Sequence, residues 1–444
     1  MNRQQWHRVL ASVAVVVSSS SLFAKADKAT ISGSGVKGGV LVHLGCGDGQ
    51  ETAKLLVSDS FLVHGLDTDL AHVAKARKHI QSLGLYGGIS VDAFDGEHLP
   101  YADNVVNLIV GDSRGKVSME EIQRVLAPLG VAVIAGKKIT KPWPSRIDEW
   151  THFLHGPDNN AVCDDSVVGP PRHMQWLADP LWIRHHGMLA SVQAPVSAGG
   201  RLFYIMDKVW MGATTKAPDW RLVARDAFNG KLLWQKGIPT WTDFKRGFRS
   251  GPAQVQRVLV ADPRSVYAVL SLNGPVSVLD AQTGRTVRVL SGTENTEEFV
   301  VHAGVVFSVI AAEKTEQAYG AKDARRGVPG DVANAKCVKA VDTKTGATLW
   351  QWPKGSTANI IPMTLAASGD AVYFQKGGSV VDASPRTPFH ISYNQRKSFA
   401  EIQKFSKYRV GVRESVPPDL IAQRIPGHGK LRENNQVGAL LFGP

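Results

Sequence analysis

The chain has 444 residues, of which 43% are hydrophobic and 20% charged, a composition typical of a globular protein with about three domains. Half of its formal charge of +12 lies in residues 385–444, which hold ten Lys or Arg against four Asp or Glu. No run of five basic residues occurs and no aromatic and basic residues alternate on one face, so we expect no nucleic-acid partner. The three cysteines are far apart and odd in number, which excludes a disulfide framework and a paired-cysteine metal site.

The first 26 residues have the pattern of a signal peptide. Arg3 and Arg8 provide a basic start, an apolar stretch covers 9–17, and Ala24-Lys25-Ala26 forms a small-residue cleavage site. We therefore expect an exported protein, periplasmic or otherwise extracytoplasmic, that is cleaved after Ala26. No later stretch approaches the roughly 18 apolar residues of a membrane-spanning helix, so we expect no transmembrane segment in the mature chain.

Tryptophan divides the rest of the chain into three regions. Residues 27–142 contain none, residues 143–352 contain ten of the eleven, and the tail contains none. Pro142 and Pro144 mark the junction between the first two regions. We therefore expect a first domain over 38–138, a linker and lead-in over 139–176, a repeat domain over 177–382 and a basic tail over 383–444.

The first region alternates strands and helices. Continuous apolar runs predict strands buried on both faces of a sheet, at 39–44, 61–66, 89–94, 105–110 and 131–135. Helical spacing of apolar residues predicts helices between them, at 52–56, 70–83 and 119–126. This alternation predicts a parallel sheet with helical crossovers, that is, an α/β Rossmann-like domain.

A glycine-rich loop follows the first predicted strand. Gly45, Gly47 and Gly49 allow a sharp turn and a close approach to a ligand, and the next helix offers its N-terminal N–H groups. Asp67 follows about 20 residues later, where a carboxylate can accept both hydroxyls of an adenosine ribose. These residues alone are also compatible with a nicotinamide dinucleotide.

Four motifs in chain order make this region resemble class I methyltransferases. They are His43-Leu44-Gly45-Cys46-Gly47-Asp48-Gly49, Asp67, the stretch from Asp95 to Pro100, and Gln123–Gly130 before the fifth strand. The resemblance implies S-adenosylmethionine as the cofactor. It also implies that Gly45, Gly47 and Gly49 lie at the cofactor, Asp67 on the ribose and Asp95 on the adenine amine.

Two features depart from that family, and no catalytic residue is assigned. His43 stands two residues before the first glycine, where many members have an acid that helps to hold the ligand's ammonium group. The fourth strand continues with Gly111-Asp112-Ser113-Arg114, without the N-P-P-Y type of motif that grips an amino acceptor. Methyl transfer can proceed by proximity and alignment, so these departures leave activity open.

The second region contains a repeat of the form D-x-x-x-G-x-x-x-W. Copies begin at Asp226, at Asp280, where Arg288 replaces the tryptophan, and at Asp342, with β-rich runs between them. The Asp-to-Gly segment predicts a turn between two antiparallel strands, with glycine at positive φ, and the tryptophan is expected to pack between neighbouring sheets.

The repeat resembles the quinoprotein-like (PQQ-like) β-propellers, and the segment from Trp150 to Trp176 resembles their lead-in. Together the two regions resemble large exported bacterial proteins in which a methyltransferase-like domain precedes such a propeller. The resemblance does not carry over the pyrroloquinoline quinone (PQQ) cofactor, because quinone enzymes pair adjacent cysteines and this chain has none. Five histidines are attributed to hydrogen bonds rather than to metal: His152, His155, His173, His185 and His186.

The last region loses the repeat. A fourth copy begins at Val380-Val381-Asp382-Ala383, but Arg386 stands where glycine is expected and His390 where tryptophan is expected. We expect three sheets in partial radial order and a poorly ordered tail. Propellers close with typically 4 to 8 sheets. The chain is therefore either a truncated or frame-shifted relative of a longer protein, or its ring is completed by another chain that associates through the open edge.

Two functions follow from these patterns. One is S-adenosylmethionine-dependent methyl transfer to an acceptor that the sequence does not name. The other is a non-catalytic exported binding or scaffold protein that uses its propeller for interactions with a protein partner. Retained motifs favour the enzyme, and export favours the scaffold, because S-adenosylmethionine is made in the cytoplasm.

Overall fold

The computed structural model describes residues 27–170, 174–179, 192–209, 218–238, 257–312, 336–358, 360, 364–375, 420–424 and 432–433. The predicted signal peptide and the predicted fourth copy at 380–383 lie outside these residues. Within the described part of the chain, no helix is long and apolar enough to cross a membrane.

The first domain is built on one six-stranded sheet. Its strands are β1 (Gly39–Leu44), β2 (Phe61–Asp67), β3 (Ile89–Ala93), β4 (Val106–Gly111), β5 (Leu126–Ile134) and β6 (Lys137–Thr140). They lie in the order β3-β2-β1-β4-β5-β6, with the first five parallel and β6 antiparallel to β5. The predicted α/β Rossmann-like fold is confirmed. The crossover between β1 and β4 puts the loops after these strands at one edge, where such folds bind ligands.

Four helices accompany the sheet. They are α1 (Lys28–Ser34), α2 (Gln50–Lys54), α3 (Leu70–Ser82) and α4 (Met119–Val125). Asp27, Asp69 and Ser118 cap α1, α3 and α4, because each side-chain oxygen accepts a backbone N–H of the first turn. These caps explain why the helices begin where they do.

Both faces of the sheet are covered. Helices α1 and α3 pack on one face around Leu41 and Val63, and α4 packs on the other around Val42 and Ile109, all four fully buried. Burying such a side chain stabilises the fold by about 1.5–3 kcal/mol. Burial on both faces is the reason that these strands have continuous apolar sequences.

The structure differs from the predicted elements around β5. Residues 126–130, which precede the fifth strand predicted at 131–135, lie inside β5, where the pairing with β4 shifts register between Val106 and Leu108. Pro128 has no N–H to donate to the sheet, so the strand accommodates it in a bulge.

The sheet also continues through β6 to Thr140, so Ile139 and Thr140, placed in the predicted linker, belong to the first domain. Helix α1 was not predicted.

The repeat region forms four-stranded antiparallel sheets, here called repeat sheets 1 to 4. Sheet 1 consists of β7 (Val192–Ala198), β8 (Arg201–Asp207), β9 (Trp220–Asp226) and β10 (Leu232–Ile238). Sheet 2 consists of β11 (Leu259–Ala261), β12 (Ser265–Val269), β13 (Val276–Asp280) and β14 (Thr286–Val289). Sheet 3 consists of β15 (Thr296–His302), β16 (Val305–Ala311), β17 (Lys336–Asp342) and β18 (Thr348–Trp352).

Repeat sheet 4 corrects the prediction of three sheets. It consists of β19 (Ala366–Ser368), β20 (Ala371–Gln375), β21 (Leu420–Arg424) and β22 (Arg432–Glu433). Its last two strands come from the tail that we expected to be poorly ordered. The sequence Leu420-Ile421-Ala422-Gln423-Arg424 is short and carries no repeat motif, which is why the pattern did not reveal it.

The predicted turns are confirmed, and so is the predicted contact of Trp234 with the neighbouring sheet. Each Asp-to-Gly turn joins the third and fourth strands of its sheet, and Gly230, Gly284 and Gly346 have φ between 70° and 77°. The Trp234 indole of sheet 1 donates to the Ala281 carbonyl in the turn of sheet 2, at 3.0 Å. Arg288 occupies the tryptophan position of sheet 2 and donates to the Thr345 carbonyl in the turn of sheet 3, at 3.2 Å. Repeat sheets 1 and 2 are therefore each fastened to the turn of the next sheet.

The lead-in contacts the first strand of all four repeat sheets. Trp150 exchanges two hydrogen bonds with Ser197 of β7, and the Thr151 carbonyl accepts the Ala261 N–H of β11. The buried His152 Nε2 accepts the Val301 N–H of β15 at 3.1 Å, and the Pro157 carbonyl accepts the Ala367 N–H of β19 at 2.7 Å. One short segment thus ties the four first strands together.

Candidate cofactor site

The candidate site lies at the carboxyl-end edge of the first domain's sheet. The loops after β1, β2, β3 and β4 all open there, and they carry every residue that the sequence assigned to cofactor binding. The loop after β1 is fixed to its neighbour, because the Gly45 and Cys46 N–H groups both donate to the Leu66 carbonyl.

The three glycines of the loop have different surroundings. All three have positive φ, at 75°, 52° and 84° for Gly45, Gly47 and Gly49. A Cβ added to Gly45 or Gly47 would meet nothing within 4 Å, whereas one added to Gly49 would lie 2.9 Å from Ala76 of α3. Gly45 and Gly47 therefore leave open space at the edge, and Gly49 allows α2 and α3 to pack closely.

Asp67 ends β2 next to this space and is 7% exposed. One carboxylate oxygen accepts the Gly47 N–H at 2.9 Å, and the other accepts the Asp69 N–H at 3.0 Å and lies 3.3 Å from His72 Nδ1. Burial by itself would raise the pKa of Asp67, but these hydrogen bonds outweigh it and hold the pKa below its usual value. The structure therefore brings Asp67 and the glycine loop together with the carboxylate ionised and oriented.

Asp95 lies on the loop after β3, at the same edge but exposed. Its carboxylate accepts the N–H groups of Glu97 and His98 at 2.8 and 2.7 Å, and His98 Nδ1 lies 2.8 Å from its second oxygen. These bonds, first of all those from the two backbone N–H groups, lower the pKa of Asp95 to about 2. The Asp95 carboxylate thus stabilises the turn of its own loop and is also exposed to solvent.

His43 is buried behind the glycine loop. Its Nδ1 lies 2.8 Å from the Thr52 hydroxyl of α2. Burial lowers its pKa, although Asp112, Glu51 and Asp67 oppose that effect. His43 is therefore uncharged at neutral pH. It connects α2 to β1 through Thr52, and it provides no negative charge at the position where many class I methyltransferases have an acid.

The sequence did not reveal the contacts that hold the Asp95 loop in place. Arg124, part of the quoted motif before β5, pairs with Glu121 and donates to the Tyr101 and Leu99 carbonyls, while Glu121 accepts the Leu99 N–H at 2.7 Å. The motif arginine therefore clamps the far end of this loop.

A second set of contacts connects the Asp95 loop to strands β2 and β3 of the sheet. The Tyr101 hydroxyl lies 2.7 Å from His64 Nδ1 on β2, and His64 Nε2 lies 3.0 Å from Asp92 on β3. Nothing in the local sequence pattern connects these three residues, because they meet only when β2 and β3 pair. Among the described residues, no group of three or more His, Cys, Asp or Glu side chains is arranged to hold a metal ion.

A family model described as a methyltransferase domain matches residues 36–184. The N-terminal region is a methyltransferase domain. The methyltransferase domain is 33% identical to Methyltransferase GfsG of Streptomyces halstedii over 102 residues, which cover 21% of this chain and 36% of that protein.

Solved structures also match this region. An S-adenosylmethionine-dependent methyltransferase from Aquifex aeolicus is 24% identical, with 26% of this chain and 64% of that chain covered and a TM-score of 0.23. The [4+2]-cyclase SpnF is 27% identical, with coverages of 22% and 39% and a TM-score of 0.21. The chain spans between 36% and 64% of the length of these three relatives.

Proposed function

We propose that the methyltransferase domain binds S-adenosylmethionine and that the chain is a methyltransferase fused to a propeller of PQQ-like repeats. The observation that carries the proposal is the open space at Gly45 and Gly47 beside the ionised Asp67. A ligand there meets a glycine backbone on one side and an oriented carboxylate on the other. That combination suits the ribose and methionine parts of the cofactor.

The residues present fit this cofactor. Asp67 would accept the ribose hydroxyls and Asp95 the adenine amine, while the loop from Gly45 to Gly49 would line the methionine part. The bound cofactor supplies a methyl group on a positively charged sulfur. Methyl transfer can proceed by proximity and alignment, so the chain's contribution would be to hold and align the two reactants.

The neutral His43 affects how the cofactor's ammonium group is held. It offers no negative charge at that position, so electrostatic attraction must come from other carboxylates, such as Asp112 after β4, whose charge acts on His43. We therefore expect weaker binding than in relatives with an acid at this position.

Calorimetric titration of the full-length protein with S-adenosylmethionine tests the proposal. Asp67→Ala is expected to weaken binding by about 1.5–3 kcal/mol, roughly 10- to 100-fold, because hydrogen bonds to a charged group are lost. Asp67→Asn, which keeps one oxygen acceptor, should lose less. Glu294→Ala, an exposed acid in the repeat region, should bind like the wild type. Absence of binding by the wild type at millimolar ligand would refute the proposal.

A non-catalytic binding or scaffold protein is the second candidate. The neutral His43 and the predicted export both favour it. Protein purified from its native host should begin at Asp27 if residues 1–26 are a cleaved signal peptide. A mature protein that begins at Asp27 and shows no heat of binding in the titration would select the scaffold function.

The repeat sheets are proposed to form part of a propeller. Support comes from the lead-in, which contacts the first strand of each sheet, and from the hydrogen bonds that link sheets 1 and 2 to the turn of the next sheet. Trp350 occupies the position of Trp234, yet its buried indole N–H has no partner among the described residues. That position would receive a further turn from this chain or from another. Light scattering over a range of concentrations should detect self-association if the edge is open.

A further inference from the structure

The two domains meet through the turn of repeat sheet 1. Asn107 at the start of β4 donates its amide to the buried Asp226 carboxylate at 2.6 Å. Asn229 of the same turn donates to the Val105 carbonyl at 2.8 Å and to the Asn107 side-chain oxygen at 2.7 Å. Ser60, just before β2, donates its hydroxyl to the Leu233 carbonyl at 2.6 Å.

The other two turns show what is special about this one. Asp280 and Asp342 begin the corresponding turns, and in each the residue before glycine is threonine. Thr283 and Thr345 donate their hydroxyls back to those aspartates, at 2.7 and 2.8 Å. In the first turn Asn229 stands at this position, and its amide points outward to the methyltransferase domain. The same repeat position therefore closes two turns internally and is used for contact in the third.

The methyltransferase domain is shaped to receive this turn. A Cβ at Gly39, where φ is 105°, would lie 1.9 Å from the Asn107 side-chain oxygen, and one at Gly38 would lie 2.9 Å from Leu233. The Asn107 oxygen also accepts the Val40 N–H at 2.8 Å. The polar groups at the contact are thus satisfied by one another, which makes a buried polar network favourable.

We propose that the Asp226–Gly230 turn is a docking element that fixes the propeller to the amino-terminal edge of the methyltransferase sheet. The cofactor loops lie at the opposite edge, about 20 Å away along the six residues of β1. The described residues of the repeat region consequently leave the cofactor edge uncovered, and the two domains unfold as one unit. The proposal does not depend on cofactor binding.

The distribution of residues supplies two separate probes of unfolding. All described helices lie within residues 28–125, so helical circular dichroism reports on the methyltransferase domain. All tryptophans other than Trp6 lie in 143–352, so in a Trp6→Phe background fluorescence reports on the linker and the repeat region. The thermal unfolding curves from the two probes should coincide in the full-length chain.

Asn229→Thr gives the docking turn the residue that its two sister turns have before glycine. We expect the midpoints from the two probes to separate by about 4 °C or more, because the two hydrogen bonds of Asn229 to the methyltransferase domain are lost while the turn itself stays closed. Asn107→Ser, which removes the bond to Asp226 and the bond shared with Asn229, should also separate the two midpoints.

Thr283→Asn is the matched control. It places asparagine in a turn that does not touch the methyltransferase domain, so its two curves should coincide as in the parent. Separate midpoints in the parent chain would overturn the proposal. Coincident midpoints in both Asn229→Thr and Asn107→Ser would overturn it as well.

Discussion

Two glycines of the cofactor loop and two glycines of the repeat turns serve opposite purposes. In the methyltransferase domain, a Cβ at Gly45 or Gly47 would meet nothing within 4 Å. In the repeat region, a Cβ at Gly230 would lie 2.5 Å from the Trp176 indole, and one at Gly284 would lie 2.6 Å from that of Trp234. All four have positive φ, so the backbone requirement is the same. What differs is whether the space beside the glycine is filled.

Whether this space is open or filled distinguishes a turn that can bind a ligand from a turn that packs against a neighbouring sheet. An open turn beside an oriented carboxylate is available to a cofactor. A turn covered by an indole is already occupied by the neighbouring sheet, and its contribution is to stability. Glycine to alanine should therefore reduce stability most at a covered turn such as that of Gly284, and should reduce ligand binding at Gly47.

Gly284→Ala should have the largest effect on stability. The new methyl group must adopt φ near 70° and must displace Trp234, so strain and overpacking together should lower the free energy of unfolding by about 2–5 kcal/mol. Gly355→Ala is the matched control, because Gly355 has φ of 65° with nothing within 4 Å. It should show the strain alone, about 1–3 kcal/mol. Equal losses in chemical denaturation would show that the indole contact adds nothing.

Much of the fold was predictable because its signals are local. Strands buried on both faces require continuous apolar runs, and β1 matches its predicted range of 39–44. The turns after Asp226, Asp280 and Asp342 were found from their glycine spacing. Repeat sheet 4 was not, because β21 pairs with β20 across more than forty residues and carries no motif.

The candidate site was only partly predictable. The sequence identified Gly45, Gly47 and Asp67, which the structure brings together, but it could not distinguish Gly49, whose neighbour Ala76 comes from another helix. The contacts of Asn229 with Val105 and Asn107 join residues more than 120 positions apart. Such contacts depend on how the domains meet, and no local pattern encodes that.

Lowering the pH should destabilise the protein through two buried histidines, His152 in the lead-in and His43 in the methyltransferase domain. Burial lowers the pKa of His152 to about 3, against roughly 6.5 in an unfolded chain. Because the folded-state pKa is the lower one, stability from the neutral ring is present above pH 6.5 and is lost as the pH falls towards 3. The loss is about 1.4 kcal/mol per pH unit, or roughly 2 kcal/mol between pH 6.5 and 5.

Guanidinium unfolding followed by tryptophan fluorescence measures this slope in the repeat region. His152→Gln keeps an acceptor for the Val301 N–H but does not titrate, so its stability should change less over this pH range. His43→Gln is the counterpart in the methyltransferase domain, where burial also lowers the histidine pKa, and it should likewise reduce the pH dependence of unfolding. An unchanged fluorescence slope in His152→Gln would contradict the assignment.

Gly47→Ala should have the smallest effect on stability and a selective effect on binding. Its φ of 52° lies in the left-handed region, so strain should lower the free energy of unfolding by about 1–3 kcal/mol, as at Gly355. The methyl group would project into the open space beside Asp67, so S-adenosylmethionine affinity should fall about tenfold or more, equivalent to about 1.4 kcal/mol. Gly355→Ala should bind like the wild type. If Gly47→Ala binds equally well, the open space is not where the cofactor lies, and open and covered glycines would then differ only in packing.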